Sequence, residues 1–177
     1  MFLAPTPVFG DAPGGLSGRL YSIPNGANGV FTTAQAMRQL INAYKTDVEI
    51  RATAANLVWI TPEKDDLAEV EAIFNYIRDH IRYLKDVNLV ETLTTPDRTL
   101  QLGYGDCDDQ VVLLGAMLES IGYPTRIVLT GYSDPGVYEH VYLQALIQNH
   151  WIDMDPTEQI PLGFSPPDPI AYWTEPV

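Results

Sequence analysis

The chain runs Gly103-Tyr104-Gly105-Asp106-Cys107-Asp108-Asp109 and continues into the apolar series Val111, Leu114, Met117, Leu118 and Ile121. It places a lone cysteine in the first turn of a helix that has an apolar face to bury. Gly122 stands where the C′ residue of that helix belongs, and Pro124 beyond it prevents continuation. Unpaired N–H groups and the positive end of the helix dipole favour a thiolate at such a position. The glycines before it let a substrate approach the backbone, and the Cys107 N–H would face an oxyanion formed beside the sulfur. Asp106, Asp108 and Asp109 pull the other way, since like charge raises a thiol pKa. They serve equally well as helix-end acids that complement the dipole.

Upstream, the clearest element spans Asp65 to Lys85. Leu67, Val70, Ile73, Phe74, Ile77, Ile81 and Leu84 recur at three and four residues, which predicts an amphipathic helix. Before it, Thr32 or Thr33 offers an N-cap for a helix carrying Ala36, Met37, Leu40, Ile41 and Tyr44. A second helix is expected from Asp47 to Trp59, broken at Thr61-Pro62. Residues 1–30, rich in Gly, Pro and Asn, read as an extended arm, and Asp86 to Gly105 as a looser stretch.

Downstream the pattern changes from helical to alternating. Thr125 to Gly131 and Val137 to Ile147 read as strands, and Gln148-Asn149 as a two-residue turn into Trp151 to Asp155. That turn pairs Ile147 with His150 and sets Tyr142 opposite Asp155. His140 and Asp155 then share a face as diagonal neighbours, roughly 7–8 Å apart at Cα. Asp153 shares the face but lies further from His140. His80, on the amphipathic helix, and His150, flanking the turn, are adequately explained as surface residues. The segment 161–177 reads as a Pro-rich tail, mostly loop. Helices followed by an antiparallel meander make an α+β layout in one domain over 31–160.

An acid holding an imidazole, with a thiol at a helix start, is the nucleophile, base and orienter arrangement of Cys107, His140 and Asp155. A net charge of −13 over 177 residues argues against a nucleic-acid partner bound through charge and leaves basic peptides or amines open. One cysteine excludes an internal disulfide and Cys-rich zinc sites. Neither a signal peptide nor a membrane-length apolar run is apparent, so a soluble protein in a reducing, cytoplasmic compartment is expected.

At Gly105-Asp106-Cys107-Asp108-Asp109, His140-Val141-Tyr142-Leu143 and Trp151-Ile152-Asp153-Met154-Asp155-Pro156-Thr157, the sequence resembles the transglutaminase-like branch of the papain-type cysteine enzymes. The likeness covers roughly residues 65–160 and includes the upstream Ile77-Arg78-Asp79-His80-Ile81-Arg82-Tyr83. It implies a papain-like α+β core and the roles given above for Cys107, His140 and Asp155. It also implies an oxyanion-site side chain, for which Tyr83, Gln101 and Tyr104 are candidates. In style the chain is similar to members encoded by tailed phages, which would make it virion-associated if not cytoplasmic. No calcium-loop spacing is present, so neither a metal nor a cofactor is expected. The expected activity is acyl transfer on a peptide or amide bond through a thioester. The rival is a catalytically silent module of the same fold serving phage structure or assembly.

Overall fold

The computed structural model describes residues 7–8, 20–21, 27–85, 92–165 and 167–177. Most of the arm expected over 1–30 lies outside the described residues. Within it, β1 (Pro7–Val8) and β2 (Leu20–Tyr21) pair antiparallel. Helix α1 (Ala27–Tyr44) starts before the expected caps. Thr32 lies inside it, its hydroxyl donating to the Asn28 carbonyl at 2.9 Å. Ala34, Met37 and Ile41, spaced three and four apart, form its buried face.

Helix α2 (Val48–Val58) is capped by Asp47, whose Oδ1 accepts the Glu49 and Ile50 N–H groups at 2.9 and 3.1 Å. Such a cap contributes about 1 kcal/mol. Helix α3 (Asp66–His80) buries Val70, Ile73, Phe74 and Ile77, as its period predicts, but ends five residues before Lys85. Beyond it Ile81 turns extended into β3 (Arg82–Tyr83), and the Arg82 and Leu84 N–H groups donate to Gly103 and Gly105 carbonyls, both at 2.9 Å. Pairing from a distant segment thus replaces the last helical turn. Leu67 and Leu84, counted in the apolar stripe, are each 49 % exposed.

Within the stretch expected to be loose, residues 86–91 are outside the described set, and a short helix, α4 (Pro96–Leu102), follows. Pro96 occupies its first turn, and Gly103 closes it at φ 67°, in the left-handed region. Strand β4 (Tyr104–Gly105) pairs in parallel with β3 and runs directly into α5 (Cys107–Ser120). Helix α5 is central: Val111 to Leu118 are all buried, between α1–α4 on one side and the main sheet on the other. Its end is a Schellman motif, with Gly122 at φ 101°, the Tyr123 N–H on Leu118 and the Gly122 N–H on Glu119.

The main sheet is antiparallel throughout, in the order β7-β6-β5-β8, from β5 (Thr125–Gly131), β6 (His140–Ile147), β7 (His150–Met154) and β8 (Ala171–Pro176). Ile127, Leu129, Val141, Leu143, Ala145, Ile147 and Met154 join the core with α5. The segment expected as a loop-like tail therefore supplies an edge strand, pairing from Arg126↔Pro176 to Gly131↔Ala171. Helices packed on an antiparallel sheet make the fold α+β, as its sequence pattern predicts.

Candidate active site

Cys107 is the first residue of α5, and its position follows from the residues around it. Asp106 is extended at φ −85°, ψ −165°, and its Oδ1 accepts the Asp109 N–H at 3.2 Å, capping the helix. Asp109 in turn takes the Thr94 N–H on Oδ1 at 2.7 Å, tying the lead-in of α4 to the turn that carries Cys107. Gly105 is required by close approach, since a Cβ there would lie 2.6 Å from the Asp109 Cβ.

Asp108 is the acid that touches the thiol. The Cys107 Sγ donates to Asp108 Oδ1 at 3.6 Å. Burial, and after it the charges of Asp108 and Asp106, push the thiol well above its ordinary range. Desolvation and like charge thus act against the thiolate that a helix start favours.

His140 opens β6 opposite Thr130, and Asp155 follows β7 directly. Gln148 and Asn149 both have positive φ, 48° and 66°, the signature of a type I′ turn, and the register Ile147↔His150 follows. Ladder pairing ends at Leu143↔Met154, one step before Tyr142 and Asp155. The His140 Nε2 and Asp155 Oδ2 meet at 2.6 Å, with the Asp155 side chain fully buried and that of His140 21 % exposed. Asp155 Oδ1 accepts the Thr157 hydroxyl at 2.6 Å and the Thr157 N–H at 3.1 Å, so both carboxylate oxygens are engaged. Asp153 is occupied elsewhere, accepting from Gln144 and from the Ser165 hydroxyl.

Helix α5 and strand β6, which carry Cys107 and His140, pack together. Among the described residues no hydrogen bond joins these two side chains; the thiol is on Asp108 and the imidazole on Asp155. Of the oxyanion-site candidates, Tyr104 is partly buried on β4, Tyr83 is half exposed on β3 and Gln101 faces solvent on α4. His80 and His150 are exposed, bonded to the Tyr76 and Gln148 carbonyls. Two further residues escape sequence reasoning. Thr157 has a local signal in Asp155-Pro156-Thr157, a side chain able to receive its own backbone two residues on. Gln110, wholly buried behind Cys107, has none.

Among the described residues no group of three His, Cys, Asp or Glu side chains could hold a metal ion, and no helix is long and apolar enough to cross a membrane.

Residues 51–156 match the family model of the transglutaminase-like superfamily. Among solved structures the chain is similar to a candidate protease of Parabacteroides distasonis, with TM-score 0.58 and 13 % identity over 73 % of this chain and 26 % of that one. It is similar also to a candidate cysteine protease of Cytophaga hutchinsonii, with TM-score 0.56 and 18 % identity over 78 % and 47 %. Calcium-bound LapG of Legionella pneumophila follows, with TM-score 0.53 and 20 % identity over 81 % of each chain. The chain thus spans less than half of the first two. Among curated proteins, none matches in sequence.

Proposed function

Since the chain belongs to the transglutaminase-like superfamily, we propose that it is a cysteine-nucleophile acyl-transfer enzyme acting on a peptide or amide bond. The observation that carries this reading is the 2.6 Å contact between His140 Nε2 and the buried Asp155 carboxylate. An acid that holds one ring nitrogen fixes the tautomer and leaves Nδ1 to act as base.

In this mechanism the thiol exchanges its Asp108 partner for His140 Nδ1, which takes the proton as Sγ attacks the carbonyl carbon. The carbonyl π electrons move to oxygen, and the Cys107 N–H receives that oxyanion. The imidazolium, stabilised by Asp155, returns the proton to the departing amine as the C–N bond breaks. Water then resolves the thioester in hydrolysis, or a second amine does so in transamidation. Hydrolysis of a peptide or isopeptide bond is the simpler outcome, because it needs no second binding site. The net charge of −13 suits a basic peptide or protein substrate.

A thiol bonded to Asp108 and pushed upward favours a second reading: a catalytically silent module that keeps the fold as a binding or assembly platform. Calcium belongs to the LapG structure named above; nothing in this mechanism requires it.

The test is acylation by p-nitrophenyl acetate, comparing the native protein with Cys107→Ser and His140→Gln. A p-nitrophenolate burst of one equivalent, absent from Cys107→Ser and strongly slowed in His140→Gln, is expected. An equal response from all three would establish the silent module.

A further inference from the structure

We infer that Gln110 is a positioning residue for the oxyanion-binding N–H of Cys107, an inference that rests on the acyl-transfer reading above. The Gln110 side chain is wholly buried one turn into α5. Its Nε2 donates to the Ile81 and Gly105 carbonyls, both at 3.3 Å, and so ties the end of α3 and strand β4 to the start of α5. Its own N–H donates to the Asp106 carbonyl at 3.1 Å.

These bonds act on two consecutive peptide planes. The Gly105 carbonyl shares its plane with the Asp106 N–H, and the Asp106 carbonyl shares its plane with the Cys107 N–H. The backbone N–H of Gln110 draws the Asp106 carbonyl along the helix, which turns the Cys107 N–H outward from the helix start. The side chain of the same residue holds the preceding plane, with help from the Leu84 N–H on the Gly105 carbonyl at 2.9 Å. The backbone bond is one that any non-proline residue would make; what the Gln110 side chain adds is a hold on the Gly105–Asp106 plane, the one that leads into the plane carrying the Cys107 N–H.

Packing alone does not account for an amide here. Among the described residues Gln110 Oε1 is buried without a hydrogen-bond partner. Such an acceptor is costly, and an apolar side chain of similar volume would avoid the cost. The two Nε2 contacts are what the amide provides and an apolar residue cannot.

Two probes of the same thiol separate positioning from stability. With p-nitrophenyl acetate, the S–C bond forms at a carbonyl, a tetrahedral oxyanion develops, and p-nitrophenolate leaves. With iodoacetamide, the S–C bond forms at a saturated carbon as iodide leaves, and no oxyanion arises. Gln110→Met is expected to slow acylation about tenfold or more, against about 10²–10³ for outright loss of an oxyanion donor. Alkylation, measured on the folded fraction, stays within about twofold. Gln110→Asn, which keeps the amide but shortens its reach, gives an intermediate loss and serves if the Met variant does not fold. Equal slowing of both reactions, or no change in either, overturns the role of Gln110. A native protein that is alkylated but never acylated at Cys107 overturns the acyl-transfer reading instead, and this inference with it.

Discussion

His140 Nε2 lies 2.6 Å from Asp155 Oδ2, and the other Asp155 oxygen is held by Thr157. The carboxylate is therefore fixed before it fixes the imidazole. Asp155→Asn offers the ring an amide in place of an acceptor-only group and removes the charge that stabilises an imidazolium. It is expected to slow acylation of Cys107 by about 10²–10⁴, the scale seen when such an acid is replaced by its amide. Asp153→Asn, whose acid serves Gln144 and Ser165, should leave the rate within about threefold. A larger loss from Asp153→Asn would show that it, and not Asp155, orients the base.

The thiol gives a prediction in pH. Burial, then Asp108 and Asp106, raise its pKa, so Asp108→Asn removes one contribution and moves the alkylation profile to lower pH. Stability has a definite sign as well. The unfolded chain ionises its cysteine at the ordinary value near 9.0 and the native thiol, raised by burial, only at higher pH, so the unfolded state binds fewer protons once the pH passes about 9. Stability falls as pH rises from about 9, and Cys107→Ser flattens that fall. Urea titrations of both proteins between pH 8 and 10 measure the difference; parallel slopes would show that the thiol is not raised.

The hairpin turn offers a stability test. Gln148 and Asn149 hold positive φ, a region where Asn and Gly are better suited than Gln. The pair Gln148→Asn with Asn149→Gly is expected to raise stability by about 0.5–1 kcal/mol. Gln148→Val should lower it by about 1–2 kcal/mol. Thermal denaturation reads both; a neutral valine would mean that the turn is not type I′.

Chelation is expected to change nothing. The proposed steps use only a base, a nucleophile and N–H donors, so acylation rates in EDTA and in millimolar calcium should agree within about twofold. Activity lost to the chelator and restored by calcium would require a metal-dependent mechanism.

Features set by neighbours in the chain were legible in the sequence. The α3 stripe, the Gly122 helix stop and the Gln148-Asn149 turn each declare themselves within a few residues, and the turn carries the His140–Asp155 meeting by register alone. What needed distant partners was not legible. Ile81 and Leu84 continue the helical period of α3, yet the Gly103 and Gly105 carbonyls draw that segment into β3. Strand β8 pairs with β5, and although Tyr172, Trp173 and Thr174 are strand formers, Pro166, Pro167, Pro169 and Pro176 around them hide it in a stretch that reads as loop. Helix α4 had local signals in Pro96 and Gly103, but they lay among polar residues without an apolar stripe. At the site, the thiol's environment was the hardest part to read: a helix start announces itself, whereas burial and the choice of Asp108 as partner emerge only after packing.

Because two residues close the hairpin between β6 and β7, His140 and Asp155 meet across a sequence separation of only 15. The loop entropy of that meeting is small, and isolated hairpins form in roughly 1–10 μs. Strand β8 must return to β5 from much further along the chain, and β3 must find β4 in parallel. The order of assembly expected from this puts His140 and Asp155 in place first and the edge strand last. Pulse-labelled hydrogen exchange during refolding should protect the amides bonded between β6 and β7 before those bonded between β5 and β8. The reverse order would mean that the sheet nucleates at its other edge.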